Sequence, residues 1–159
     1  MFDFNFNNVP EVELIPAGTV VKARLNLRPG DSDKDQYLKK AKTGSLYLDC
    51  EFTVIEGEYA KRKIYHKIGI EGNDVWVAAS RRFIKNILES AKGISKNDKS
   101  PEAEKARQIT YFSDLDGLDV LIKVGVETGG EYADKNRIVS VITAENPIYQ
   151  QMMSDGIPW

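Results

Sequence analysis

Residues 46–70, LYLDCEFTVIEGEYAKRKIYHKIGI, contain two runs in which apolar and polar side chains alternate on either side of a short turn. Leu48 and Phe52 share one phase of the first run, and Ile64 and Ile68 share one phase of the second. A period of two is typical of strands that bury one face, and the intervening EGE segment provides a glycine turn. The stretch therefore predicts a β-hairpin with one buried face.

Further strands are predicted on both sides of this hairpin. The hairpin itself contributes strands over 46–55 and 61–70, and the same alternation predicts strands over 19–27, 118–127 and 137–143. The polar stretch between the first two strands has no apolar period, so it is predicted to be a long loop.

One long helix separates the third and fourth strands. Apolar residues recur at helical spacing from Trp76 to Ala91, after Asn73 or Asp74 as a candidate N-cap and before Gly93. Pro101 opens a second, shorter helix. The order β-β-β-α-β-β predicts an all-β fold with one or two helices, built as a five-stranded OB-fold barrel.

Length and composition favour one domain. A chain of 159 residues with 42% hydrophobic residues can bury one core, so we expect a domain over 1–145 and a C-terminal tail over 146–159. The single cysteine, Cys50, falls in a buried phase, and no apolar run approaches the ~20 residues of a membrane span. We expect a cytoplasmic protein of a bacterial or phage-infected cell, with no membrane partner.

The net charge is −2, but the charged residues are distributed unevenly along the chain. Residues 22–85 contain 14 Lys or Arg and 9 Asp or Glu, so the remainder is strongly acidic. A basic groove on an acidic protein is compatible with this segregation, although lysines also serve as ordinary solubilising residues.

The hairpin combines aromatic and basic residues on its polar face. Single-stranded nucleic acid is held by cations along its phosphates and by aromatic rings under its bases. The out-of-phase residues predicted to form such a face are Tyr47, Lys61, Lys63, Tyr65 and Lys67. The alternative is a solvated sheet face with lysines for solubility.

Two loops carry similar residues at the rims of the predicted barrel. The candidates are Tyr37, Lys39, Lys40 and Lys42 before the second strand, and Tyr132, Lys135 and Arg137 in the last hairpin. Acidic residues dilute the first loop, so a plain solvated loop remains the alternative to a clamp over DNA.

Several short segments together carry a resemblance to a known family. They are LIPAGT at 14–19, VIEG at 54–57, Arg62-Lys63, EYADKNRI at 131–138 and IPW at 157–159. On these segments the chain resembles the compact, phage-type single-stranded DNA-binding proteins, and its tip is similar to the Ile-Pro-Phe end of the bacterial ones. The resemblance implies an OB-fold and non-specific protection of single strands.

The tip has its own implied role. In the bacterial proteins, the final aromatic ring and carboxylate enter basic, apolar pockets on replication and repair partners. The resemblance therefore implies that Asp155, Ile157, Pro158 and Trp159 recruit replication or recombination proteins. The alternative is that Trp159 packs back onto the domain.

No catalytic pattern stands out. The lone histidine, His66, lies in an inward phase, where a core or barrel-end role is expected, and one Cys with one His makes a poor zinc site. Asp114, Asp116 and Asp119 fit turn chemistry better than a metal-dependent nuclease. We expect no catalysis, no cofactor and no metal.

The leading hypothesis is non-catalytic coating of single-stranded DNA in replication, recombination or repair. The alternative is an OB-fold adaptor that binds another protein through the same face. The sequence leaves homo-oligomerisation and the choice between DNA and RNA open.

Overall fold

The computed structural model describes residues 2–7, 9, 13–130 and 133–154. It contains six strands, three α-helices and one 3₁₀ helix among these residues. The elements are β1 Val20–Leu27, β2 Leu38–Lys40, β3 Leu46–Val54, β4 Lys63–Glu71, α1 Asp74–Lys92, α2 Pro101–Ala106, the 3₁₀ helix Phe112–Leu115, β5 Asp119–Glu127, β6 Lys135–Ile142 and α3 Pro147–Ser154.

Five of these strands and the first two helices lie where the sequence predicts them, but the predicted total of five strands and at most two helices is wrong. The additional strand, β2, comes from the stretch predicted to be a loop, and three residues are too few to show a period. The additional helix, α3, comes from the predicted tail.

All six strands form one antiparallel sheet. Strand β2 pairs with the first part of β3 and β1 pairs with the second part, so both lie on one side of β3 while β4 lies on the other. Strands β5 and β6 continue beyond β1. The sheet curls until Cα atoms of β4 and β6 come within 8 Å, which leaves an open seam in a barrel-like fold.

The inward phases of the strands build the core, as the alternation predicts. All the inward side chains of β3 are buried, including Leu48 and Phe52. Cys50 lies among them, and desolvation, with a smaller contribution from Asp49, raises the pKa of its thiol to about 12. The cysteine therefore behaves as a small apolar residue at neutral pH.

Helix α1 closes the core. The Asn73 side chain accepts hydrogen bonds from the first turn, and Gly93 ends the helix with φ 69°, a left-handed conformation that glycine adopts without strain. Ile87 and Leu88 face the interior. Gly69 of β4 leaves room for the Trp76 ring, since a Cβ there would lie 2.6 Å from it.

No helix in the described ranges is both long and apolar enough to cross a membrane.

Residues 146–159 are the predicted tail, and Pro147–Ser154 of this stretch fold as α3. The Tyr149 ring is buried against Leu121 and Ile142, and its hydroxyl donates a 2.6 Å hydrogen bond to the Ser90 carbonyl. Helix α3 is thereby fixed to the sheet and to the end of α1. The predicted partner-binding residues Asp155, Ile157, Pro158 and Trp159 lie outside the described residues.

A buried ion pair fastens the segment after α2 to α1. Arg107 Nε donates to Glu89 Oε2 at 2.9 Å, and the two side chains are 11% and 0% exposed. The Arg107 guanidinium also donates to the carbonyls of Ser95 and Asp98. The other Glu89 oxygen, Oε1, has no hydrogen-bond partner among the described residues. The ion pair with Arg107 is therefore the main interaction that offsets the cost of burying the Glu89 carboxylate.

Replacing Arg107 with Met is expected to destabilise the fold by about 3–5 kcal/mol, because the Glu89 charge is left buried and unpaired. The double variant Glu89→Leu/Arg107→Met removes both charges and is expected to recover most of that loss. Urea unfolding followed by circular dichroism measures both. Equal instability of the single and double variants would show that Arg107 acts through packing rather than charge.

Candidate functional site

The predicted aromatic and basic residues of the hairpin lie on one outer surface, which we call the hairpin face. Its members from β3 and β4 are Tyr47, Asp49, Glu51, Lys63, Tyr65 and Lys67. The register places Tyr65 opposite Glu51 and Lys67 opposite Asp49. Tyr65 is 54% exposed, which is high for a ring in the middle of a strand. The hairpin face thus offers an accessible aromatic surface between two lysines.

Each tyrosine of the hairpin face carries a cation against its ring. The Arg28 Cζ atom lies 5.5 Å from the Tyr65 ring centroid, and the Lys67 Nζ atom lies 5.0 Å from that of Tyr47. These separations fall within the range of cation–π attraction. Positive charge is therefore held beside both rings.

Two carboxylates on the same face hold several of these cations. Asp49 Oδ2 accepts a hydrogen bond from Lys39 Nζ at 2.8 Å. The same oxygen lies 3.5 Å from Nη1 of the Arg28 guanidinium. Glu51 pairs with Lys63 Nζ at 2.5 Å, and this hydrogen bond, with the charge of Glu51, raises the pKa of Lys63. The carboxylates orient the cations and also lower the net positive charge of the face.

A groove runs along the open seam between β4 and β6, with a volume of about 680 Å³. It joins Lys63, Tyr65 and Lys67 to Lys135 and Arg137, which are distant in sequence. We call it the β4–β6 groove. The structure therefore gathers five of the predicted residues at one site.

Several other predicted residues lie elsewhere. The Tyr37 ring packs against the core instead of facing the groove. Lys39 reaches the hairpin face through Asp49, whereas Lys40 and Lys42 are exposed and do not line the groove. Lys61 lies in the turn before β4, with φ 77°. Tyr132 is outside the described residues.

The sequence prediction omitted several charged contributors to this region, namely Arg28, Asp49, Glu51, Arg62, Glu127 and Asp134. Asp49 and Glu51 alternate with the buried residues of β3, and Arg28 continues the outward phase of β1. The alternation that identified Tyr47 could have identified these three as well. Arg62 lines the β4–β6 groove from the turn before β4.

The lone histidine is half-buried and packs against an aromatic ring of α1. His66 stacks on Phe83, with ring centroids 4.2 Å apart and planes 21° apart, and burial lowers the pKa of its imidazole. Its neutral form therefore predominates at neutral pH. Among the residues that the structure describes, no three His, Cys, Asp or Glu side chains are arranged to hold a metal.

Neither a known protein family nor a curated protein matches this sequence. The function is therefore argued from the geometry of the hairpin face and the β4–β6 groove.

Acidification below the ordinary histidine pKa of 6.5 is expected to destabilise the fold, because the unfolded chain takes up a proton on His66 that the folded chain resists. Between about pH 7.5 and pH 5.5 the loss is at most about 1.4 kcal/mol. His66→Gln should remove this dependence, as measured by urea unfolding at both pH values. A wild-type stability that does not change over this range would contradict the expectation.

Proposed function

We propose that this protein is an OB-fold protein that coats single-stranded DNA with little sequence preference. In this proposal it protects single strands during DNA replication, recombination or repair and catalyses no reaction. The hairpin face and the β4–β6 groove form the binding surface.

The strand pairing supports the OB-fold assignment. Without the short β2, the strands are ordered β4-β3-β1-β5-β6, and α1 lies between β4 and β5 in the chain. The two outer strands approach each other across the seam. This pairing fits the partly open five-stranded barrel of OB-fold proteins, in which strands two and three commonly hold oligonucleotides.

One observation carries the binding proposal: the exposed Tyr65 ring lies between two lysines, with the Arg28 Cζ atom 5.5 Å from its centroid. The ring stands at the edge of a groove that is lined by five Lys or Arg residues and by three carboxylates. A base stacked on an aromatic ring contributes ~1–3 kcal/mol and needs no particular sequence. Stacking on Tyr65 with phosphates along the groove therefore gives affinity without base readout.

The charge arrangement favours a phosphate backbone over a neutral ligand. Lys67 and Arg137 take part in none of the ion pairs found in the described ranges, so their charges are available to phosphates. Lys63, Lys39 and Arg28 already have carboxylate partners, and a phosphate must compete for them. Binding of this kind weakens as salt rises.

The presence of Asp49 and Glu51 on the hairpin face favours a second candidate function. Acidic side chains repel phosphates but pair readily with basic residues of another protein. An OB-fold adaptor that binds a protein through this face is therefore the alternative, and it predicts no affinity for a single strand.

The change Tyr65→Ala is expected to weaken single-strand binding about 5- to 160-fold, because one stacking surface is lost. Fluorescence anisotropy of a labelled poly-thymidine strand at low and moderate salt measures this, with a matched duplex for comparison. Tyr111→Ala is the matched control, since Tyr111 is 67% exposed and lies outside the β4–β6 groove. Wild-type protein without affinity for the strand would favour the adaptor.

We also propose that the tip recruits replication or recombination proteins. Deleting residues 157–159 is expected to leave poly-thymidine affinity unchanged and to abolish capture of partners in pull-downs from cells. The melting temperature of the truncated protein serves as the control. A large drop in that temperature would instead indicate that Trp159 packs on the domain.

A further inference from the structure

The amino-terminal segment, residues 2–7, presents an alternating row of aromatic rings to solvent. Phe2, Phe4 and Phe6 are 83%, 78% and 70% exposed, and the Phe2 and Phe4 ring centroids lie 6.2 Å apart. Folded proteins rarely expose large apolar side chains together unless they mark an interaction site. We call this segment the arm.

The arm is unsuited to nucleic acid because its surroundings in sequence are acidic. Residues 1–21 contain Asp3, Glu11 and Glu13 and no Lys or Arg. Asp3 stands between Phe2 and Phe4 in the sequence, and its carboxylate accepts a 2.9 Å hydrogen bond from the Asn5 backbone, so the arm itself carries negative charge. A complementary surface would be apolar with a basic rim.

The chain after the arm is anchored to the barrel beside the β4–β6 groove. Ile15 is buried, and its backbone N–H and carbonyl both bond to the Asn136 side chain, at 3.0 and 2.8 Å. Arg62 donates a hydrogen bond to the Glu13 carbonyl. From this anchor, the preceding residues can span at most ~45 Å, which is enough to reach a neighbouring molecule.

A second groove, separate from the hairpin face, combines apolar side chains with a basic rim. It has a volume of about 740 Å³ and lies between α1 and the chain that follows α2. Ile84, Ile109 and Phe112 contribute half-buried apolar surface to it. We call it the α1 groove.

The rim of the α1 groove is basic. Arg81, Arg82 and Lys85 are exposed along it, and none of the three takes part in an ion pair within the described part of the chain. Three cations beside apolar side chains suit a segment that combines aromatic rings with carboxylates.

The dimensions of the arm and the groove also agree. The groove follows α1 from Val77 to Leu88, a length of ~16 Å along the helix axis. An extended segment from Phe2 to Phe6 measures ~13 Å, with all three rings on one side. Among the described residues of one chain the three rings remain exposed, so the arm does not occupy the α1 groove of its own molecule.

We propose that the Phe2–Phe6 arm of one copy docks in the α1 groove of a second copy. The rings cover the apolar side chains of the groove, and the acidic arm lies alongside the cations of the rim. This contact links copies of the protein without using the hairpin face.

Two variants test the proposal by sedimentation equilibrium of the full-length chain over a range of concentrations. The arm variant is Phe2→Ser/Phe4→Ser/Phe6→Ser, and the groove variant is Arg81→Glu/Lys85→Glu. Each is expected to weaken self-association roughly a hundredfold or more, because buried rings or complementary charges are lost. Lys99→Glu/Lys105→Glu makes the same charge change outside the groove and should associate like wild type.

Mixing the two variants gives the decisive measurement. The arm variant retains an intact groove and the groove variant retains an intact arm, so an equimolar mixture should associate more tightly than either variant alone. Circular dichroism confirms that both remain folded.

Three results would overturn the proposal. The first is a wild-type protein that stays monomeric at all concentrations, which would leave the arm bound within its own chain or unbound. The second is a mixture that associates no better than its components. The third is an arm variant that loses affinity for poly-thymidine while self-association is unchanged, since the rings would then serve nucleic acid.

Discussion

Strand β3 is the element on which both the core and the candidate site depend. It pairs with β1, β2 and β4, so its register fixes the positions of three other strands. Its inward residues fill the barrel, and its outward residues, Tyr47, Asp49 and Glu51, form half of the hairpin face. A slip of one residue would exchange the two sets, which makes burial of Phe52 and its neighbours the constraint that keeps Tyr47 outside.

The carboxylates of β3 then organise the cations around the rings. Asp49 binds Lys39 of β2 and lies close to Arg28 at the end of β1, and Arg28 in turn covers Tyr65 of β4. Ion pairs near the surface contribute little stability. Their effect here is positional, because they hold the flexible side chains of Arg28 and Lys39 against Asp49 on the hairpin face.

Local periodicity explains which parts of this arrangement the sequence predicts. The long strands and α1 follow from side-chain spacing within each segment, whereas the sequence leaves the cap of α1 open between Asn73 and Asp74. Strand β2 does not, since three residues acquire strand geometry only by pairing with β3. The β4–β6 groove depends on how the whole sheet curls, so the proximity of Tyr65 to Arg137 has no local signal. Composition alone mispredicts Tyr37: a tyrosine among lysines suggests a ligand-facing ring, but the ring packs against the core.

The burial of Cys50 has a practical consequence for spectroscopy. It is the chain's one cysteine, and because burial raises the pKa of its thiol, very little of the reactive thiolate is present at neutral pH. A cysteine introduced on the surface would therefore react with a maleimide dye far faster than Cys50. Single-site fluorophores or spin labels can thus be attached to the otherwise native chain without first replacing a core residue.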